Sequence, residues 1–598
     1  MEPKLAESGL LALAIIIVAG SAAQWIAWII RLPSILLLLL AGLALGPGLG
    51  WVNPDEIFGN LLLPFVSIAV ALILFEGGLS LNRRELKGVG VVVTLLVTVG
   101  VAITGVLLAG AAYWVLGLEL RLAALLGAIL TVTGPTVVLP LLAYIKPRGR
   151  VASVLKWEGI LVDPIGVLIA VLVFEAVTTV EHGELGRQVA IAIGKTIVIG
   201  GGLGAVVAWG LAILLRRNWV PDQLEPAVAL MLVVAAFVGA NHIQAESGLM
   251  AVTVMGIVLA NQRRADVHRI TEFKEHLRVF LISAVFIVLS ARLRREDIFA
   301  LRWEAFAFFG ISAFLVRPLA VAASTIGSGM SSAERAFMGF MAPRGIVAAA
   351  VTSVFAITLE GLGVEQARLL PPVVFITIIC SVLLYGLLGG PFARLLKLAD
   401  RDPQGMLVVG ANPLARQIAK LLGGMNIRTV LIDANRELIE TARMQGLETL
   451  HANVVSGDIS DVIELHGIGR LIALTPNDEV NMLAMQRFAR NFGQAGVYRL
   501  PPKKAEKGRA APGDVRLHRL LFEADASYSR ISELLAKGAV VRATKLSDEF
   551  DYGAYRSHNS GFIPLLIVSG KNKVSVVTAD AAPEPGAGDT VVSLAMPT

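Results

Sequence analysis

The chain has 598 residues, of which 55% are hydrophobic and only 16% charged, and its mean hydropathy of +0.72 excludes an ordinary soluble protein. The net charge of +6 comes from basic residues scattered over short loops between apolar runs, which excludes a nucleic-acid-binding face and points to membrane topology. The single cysteine, Cys380, lies inside an apolar run, so neither a disulfide framework nor a cysteine-based metal site is encoded.

The first apolar run, 10–30, lacks a small-residue cleavage pattern and reads as a retained span. Runs long enough to cross a bilayer follow, giving spans near 9–29, 33–49, 61–81, 89–116, 121–145, 153–177, 188–215, 223–241, 246–261, 276–291, 303–326, 333–358 and 370–394. That makes about thirteen, a polytopic all-α membrane domain. With the N-terminus outside, Arg31, Arg83, Arg84, Lys87, Lys146, Arg148, Arg150, Arg216, Arg217, Arg263 and Arg264 fall on the cytoplasmic side, while "NPDEIFGN", "LGLEL" and "EHGE" fall outside. Only the basic loop 292–302 disagrees. An odd number of spans then leaves the C-terminal portion in the cytoplasm.

Ionisable groups within these spans are costly and need an explanation. The run "KWEGILVDPIGVLIAV" (156–171) holds Glu158 and Asp163, with Pro164 directly after. Five residues turn a helix by about 500°, so the two carboxylates point roughly 140° apart and form separate sites. Each uncompensated charge costs at least about 2.5–3.5 kcal/mol at this depth and should face protein or a water-filled cavity. For Glu158 the expected partner is Arg344 in "MAPRGIV", with Arg317 in "FLVRPLAV" as the rival. Asp163 has no such cation, and Pro164 has no N–H to give to the carbonyl of Ile160, so an oxygen-rich irregularity is expected beside a proton- or cation-binding carboxylate.

Two other spans carry breaks. "LTVTGPTVV" (130–138) groups Thr131, Thr133, Gly134, Pro135 and Thr136, and Pro135 frees the carbonyl of Thr131. "MAPRGIV" (341–347) lies seven spans later. Such an offset reverses direction through the membrane and marks an inverted repeat whose two breaks cross near the midplane. Arg344 would then offset the negative ends of the half-helices.

In order along the chain, "FEGGLSL", "TVTGPTVV", "EGILVDPIGV", "ESGLMAVTVMGIVLAN" and "APRGIVAAAV" resemble the monovalent cation/proton antiporter superfamily, closest to its sodium/proton exchangers of the NhaP type. The resemblance implies a homodimer in which a core with crossed, unwound helices moves against a dimerisation domain. It also implies that Asp163 carries the ion and the proton, that Glu158 and Arg344 form a structural ion pair, that Thr133 is an unwound-helix ligand for the monovalent cation, and that Glu76 is an acidic residue near the cytoplasmic funnel. The ion- and proton-binding set is therefore Asp163, Thr133, Glu158, Glu76 and Thr131. The chain departs from the family at Val162, Gly134 and Gly159, where family members often carry polar residues. One proton against one cation at Asp163 would be electroneutral.

The apolar region ends near Lys397, and "MLVVGANPLARQIAKLL" with "TVLIDAN" looks like the opening of a Rossmann unit. Gly410, Asn412 and Ala415 occupy the fingerprint positions and Asp433 the ribose-binding one, with Asn477 in a later segment. "VVSGDISD" and "LIALTPNDEVNMLA" resemble the RCK potassium-transport regulators, and the chain end resembles the C-terminal domain that commonly follows them. Expected domains are a transmembrane exchanger (1–395), an RCK N-lobe (396–500), a linker (501–516) and a small α+β C-terminal domain (517–598). A regulatory adenine nucleotide or NAD(H) is the expected ligand, and no cofactor serves transport. The leading reading is secondary exchange of protons for Na⁺ or K⁺ at a bacterial-type inner membrane, without enzymatic chemistry. A nucleotide-gated cation channel is the alternative, though no selectivity-filter sequence is present.

Overall fold

The computed structural model describes the chain except residues 1, 31, 148, 179–184, 263–264, 266, 294–295, 297–302, 400–402, 455–466, 503–519, 560, 571, 582 and 597–598. The basic residues Arg31, Arg148, Arg263 and Arg264, the "EHGE" loop, and most of the 292–302 loop, the 501–516 linker and "VVSGDISD" lie outside the described residues. The chain divides into two compact units, Met1–Ala399 and Asp400–Thr598.

The first unit is entirely helical among the described residues. Among the described residues, eight helices are long and apolar enough to cross a membrane, from Gly9–Ile30 to Glu365–Leu395, and six more apolar helices are shorter. Two of the six, Leu120–Ile129 and Pro135–Ile145, follow one another across a short non-helical stretch. As helices, runs of this length satisfy their backbone polar groups by internal hydrogen bonds, as hydrocarbon requires.

Helix contacts in this unit rely on small residues. A Cβ on Gly78 would come within 2.5 Å of the Thr253 carbonyl oxygen, and one on Gly256 within 2.3 Å of that of Phe75. Gly200 and Gly204 likewise approach the carbonyls of Ser247 and Ala251, at 2.5 and 2.1 Å. Helix Ser247–Asn261 is thereby held backbone to backbone between Leu62–Leu79 and Leu185–Arg216.

The second unit contains two sheets. The first has the order β3-β2-β1-β4-β5, all parallel: β1 (Gly405–Val409), β2 (Thr429–Asp433), β3 (Glu448–His451), β4 (Ile468–Ala473) and β5 (Val497–Arg499). This is the Rossmann order, with its switch point between β1 and β4. The second sheet is antiparallel, in the order β6-β9-β7-β8, from β6 (Val540–Lys545), β7 (Ile563–Val568), β8 (Val574–Val576) and β9 (Thr590–Ala595). One apolar core containing Met406, Leu474, Phe522, Leu566 and Val592 runs under both.

Candidate functional site

Both sequence breaks are real interruptions. Helix Leu120–Ile129 stops, and Pro135–Ile145 begins after Gly134; Ser332–Phe340 stops, and Ile346–Gly361 begins after Gly345. The two non-helical stretches touch. A Cβ on Gly134 would sit 2.7 Å from the Gly345 Cα, and one on Gly345 would sit 2.6 Å from the Gly134 Cα. Only glycine at both positions permits this approach. Gly345→Ala is expected to push the backbones apart, cost about 1–3 kcal/mol, and depress any transport sharply; reconstituted flux alongside a thermal melt would check this.

Helix Val151–Thr178 runs past the first break without interruption, so Pro164 does not produce the irregularity expected there. One lost N–H is tolerated where neighbouring helices enclose the freed carbonyl. Gly159, Asp163 and Gly166 lie on one face of this helix, spaced four and three residues apart. A Cβ on Gly159 would meet Val138 at 3.1 Å, and one on Gly166 would meet Val132 at 2.7 Å and the Thr131 hydroxyl at 3.0 Å. Asp163 therefore faces the 132–138 segment, the break and the first turn after it. The family's frequent serine at position 159 would have to displace Val138.

Asp163 is fully buried, and neither of its carboxylate oxygens has a hydrogen-bond partner. The hydroxyls of Thr133, in the break, and Thr136, in the first turn of the helix after it, are buried and also unpartnered. Thr131 differs, because its hydroxyl donates to the Ala128 carbonyl at 2.7 Å. Thr136 was not singled out as a ligand from sequence, although it opens the half-helix directly after Pro135.

The expected Glu158–Arg344 pair does not form. Glu158 is gripped by both terminal nitrogens of Arg317, with Nη2 at 2.8 Å from Oε2 and Nη1 on Oε1, while Arg317 Nε donates to the Met338 carbonyl at 3.0 Å. Arg344 instead donates to the Leu130 carbonyl, and its Nη2 lies 3.4 Å from Ser312 Oγ. The physical reason lies in the broken helices. Leu130 and Met338 belong to the last turns of the two first halves, where carbonyls lose their intrahelical partners and carry partial negative charge. Each arginine serves one such end, and Arg317 has the fork geometry left for Glu158.

Glu76 is buried on helix Leu62–Leu79, and its carboxylate meets Arg278 Nη1 of helix His268–Ala291 at 3.0 Å. The adjacent Gly77 packs on Ile160, close to one turn before Asp163. Arg278 and Glu76 line a small cavity together with Pro226 and Phe273. Arg278 was missed from sequence; its signal was its place as the last charge before the apolar stretch of its helix.

In the second unit, Gly410 makes the turn after β1 at φ +107°, and the Asp433 carboxylate accepts from the amides of Ala411 and Asn435, both at 2.8 Å. Its position at the end of β2 fits a ribose. The diphosphate position does not fit. Asn412 Oδ1 accepts from the Ala415 amide at 3.0 Å, Asn412 Nδ2 donates to the Leu474 carbonyl at 2.6 Å, and Pro413 at the first helical position has no N–H. Asn477 caps the helix Asp478–Phe492 through the amides of Glu479 and Val480.

Comparison with known proteins agrees with these two units. Residues 12–395 match the family described as sodium/hydrogen exchanger, transmembrane, and residues 406–498 match the TrkA-N domain. The chain is 28% identical over 371 residues to the K(+)/H(+) antiporter NhaP of Alkalimonas amylolytica, covering 61% of this chain and 63% of that protein. It is 24% identical over 413 residues to the probable Na(+)/H(+) antiporter 2 of Methanocaldococcus jannaschii, covering 64% of this chain and 96% of that protein. The solved structure of the sodium proton antiporter MjNhaP1 from the same archaeon, at pH 8, superposes with a TM-score of 0.56 at 25% identity, over 66% of this chain and 99% of that one.

Proposed function

Because this chain belongs to the sodium/hydrogen exchanger family, we propose that it exchanges protons for a monovalent cation across a membrane, with Asp163 carrying each in turn. The observation that carries this reading is the set of unpartnered oxygens, Asp163 Oδ1 and Oδ2 with the hydroxyls of Thr133 and Thr136. A buried carboxylate with no donor or cation costs several kcal/mol unless it takes up a proton or a cation. Facing hydroxyl oxygens suit a cation that has shed part of its water, and their lone pairs suit a protonated carboxyl equally. Binding of one therefore displaces the other, which is the condition for exchange.

Glu158, held by Arg317, keeps its charge balanced and positions the helix that carries Asp163. Arg344 holds the break closed at Leu130. Glu76, paired with Arg278, stands beside the route on the cytoplasmic side, with the N-terminus outside and the chain in a bacterial-type inner membrane as a homodimer. Residues 1–395 transport, 396–500 and 517–598 regulate. The relatives' names include both Na⁺ and K⁺ exchangers, and both cations are assigned as candidate substrates.

The test is proton flux in sealed proteoliposomes on addition of Na⁺, K⁺ or Li⁺. Cation-triggered proton movement that is unchanged by an imposed membrane potential is expected, since one charge replaces another at one carboxylate. Current carried by cations without a proton gradient would overturn exchange in favour of a channel.

A further inference from the structure

The Rossmann order and Asp433 invite a dinucleotide, yet the residues at the switch point are committed to one another. In this fold the ligand's diphosphate crosses the crevice between β1 and β4 and rests on the amides that open the first helix; the second fingerprint glycine lets backbone approach it. Here that position is Asn412, which is only 6% exposed. Its side chain spans the same crevice, from the Ala415 amide on the helix to the Leu474 carbonyl just past β4.

The donors are accounted for one by one. The Gly410 amide binds the Ile432 carbonyl, that of Ala411 binds Asp433, that of Ala415 binds Asn412 Oδ1, that of Arg416 binds the Asn412 carbonyl, and Pro413 has none. At most the amides of Asn412 and Leu414 are left to receive a phosphate. The anion-binding capacity of a helix start depends on such amides, and this helix satisfies its own.

We infer that this unit excludes NAD(H), ADP and ATP: Asn412 and Pro413 close the diphosphate cradle, leaving the Gly410 turn and Asp433 at the end of β2 in the form the fold ordinarily uses. Regulation through this unit then proceeds without a diphosphate nucleotide. Asn412 is the specificity-determining residue, and it acts by bridging, so the chemistry it selects against is any ligand carrying adjoining phosphates across the helix start.

The experiment is equilibrium titration of the full chain in detergent with NADH, ADP and ATP. The wild-type protein is expected to show no saturable binding into the millimolar range. Asn412→Gly combined with Pro413→Ala reopens the cradle and is expected to bind NADH or ADP at least about tenfold more tightly, with the gain lost on adding Asp433→Ala. Should the double variant fail to fold, Asn412→Gly alone, a tolerated helix start, frees both the Ala415 amide and the Leu474 carbonyl and answers the same question. Wild-type binding that Asp433→Ala removes would overturn the inference. A folded double variant that stays silent would overturn it too, by removing Asn412 and Pro413 as the obstruction.

Discussion

Asp163→Asn is expected to reduce cation-triggered proton movement to the level of empty liposomes while leaving a folded protein. The substitution keeps size and shape but removes the one group that can hold either a proton or a compensating cation on the 132–138 face of its helix. Asparagine can donate to the hydroxyl oxygens of Thr133 and Thr136, which have no other partner. Relief of an uncompensated carboxylate at this depth is worth about 2.5–3.5 kcal/mol on insertion scales, so the variant should melt at the wild-type temperature or above it. Flux and melting must be read together. Retained flux would remove Asp163 as the carrier; lost flux with a collapsed melt would leave a merely structural aspartate.

Breaking the Glu158–Arg317 pair should have the largest effect on stability. Both side chains are about nine-tenths buried or more, and removing one partner strands the other's charge, at a cost of about 3–5 kcal/mol. Arg317→Met strands Glu158 and also frees the Met338 carbonyl at the end of a half-helix. Adding Glu158→Gln should restore most of the lost stability, because a neutral pair carries no stranded charge. Melting temperatures of the two single variants and the double variant, in one detergent, form the cycle. Strict additivity would mean that the pair contributes nothing. Arg317→Lys should fall between, since an ammonium cannot hold two carboxylate oxygens and a carbonyl in one plane.

The crossings were legible because bilayer thickness sets a length that apolar runs must meet, and the breaks were legible because Gly134 with Pro135, and Pro343 with Gly345, combine two helix-weakening residues within three positions. Pro164 with Gly166 does the same inside an unbroken helix, so the pairing weakens a helix without deciding that it breaks. Asp163 stood out by the cost of its charge. The partner of Glu158 was not legible: two buried arginines were in sequence range, both serve a half-helix end, and only the packed helices leave the two terminal nitrogens of Arg317 on Glu158 while those of Arg344 turn to Leu130 and Ser312. Thr136 and Thr131 look alike in the sequence, but a single local bond to Ala128 occupies one and leaves the other open. At Asn412 the fingerprint reading hid a simpler signal. Asparagine followed by proline is how helices commonly begin, and the residue does that work here.

The glycine contacts around helix Ser247–Asn261 bear on how such a membrane unit could change shape. Where carbonyl oxygens of one helix stand where a neighbour's Cβ would be, the helices interlock like teeth and cannot slide past one another by a fraction of a turn. Leu62–Leu79, Ser247–Asn261 and Leu185–Arg216 accordingly form a stiff plate. The helix bearing Asp163 meets this group through Ile160, whose side chain lies on the bare backbone of Gly77 beside Glu76, an ordinary contact with no carbonyl in the Cβ position. The three interlocked helices supply the frame against which any shift of the helix bearing Asp163 would be measured.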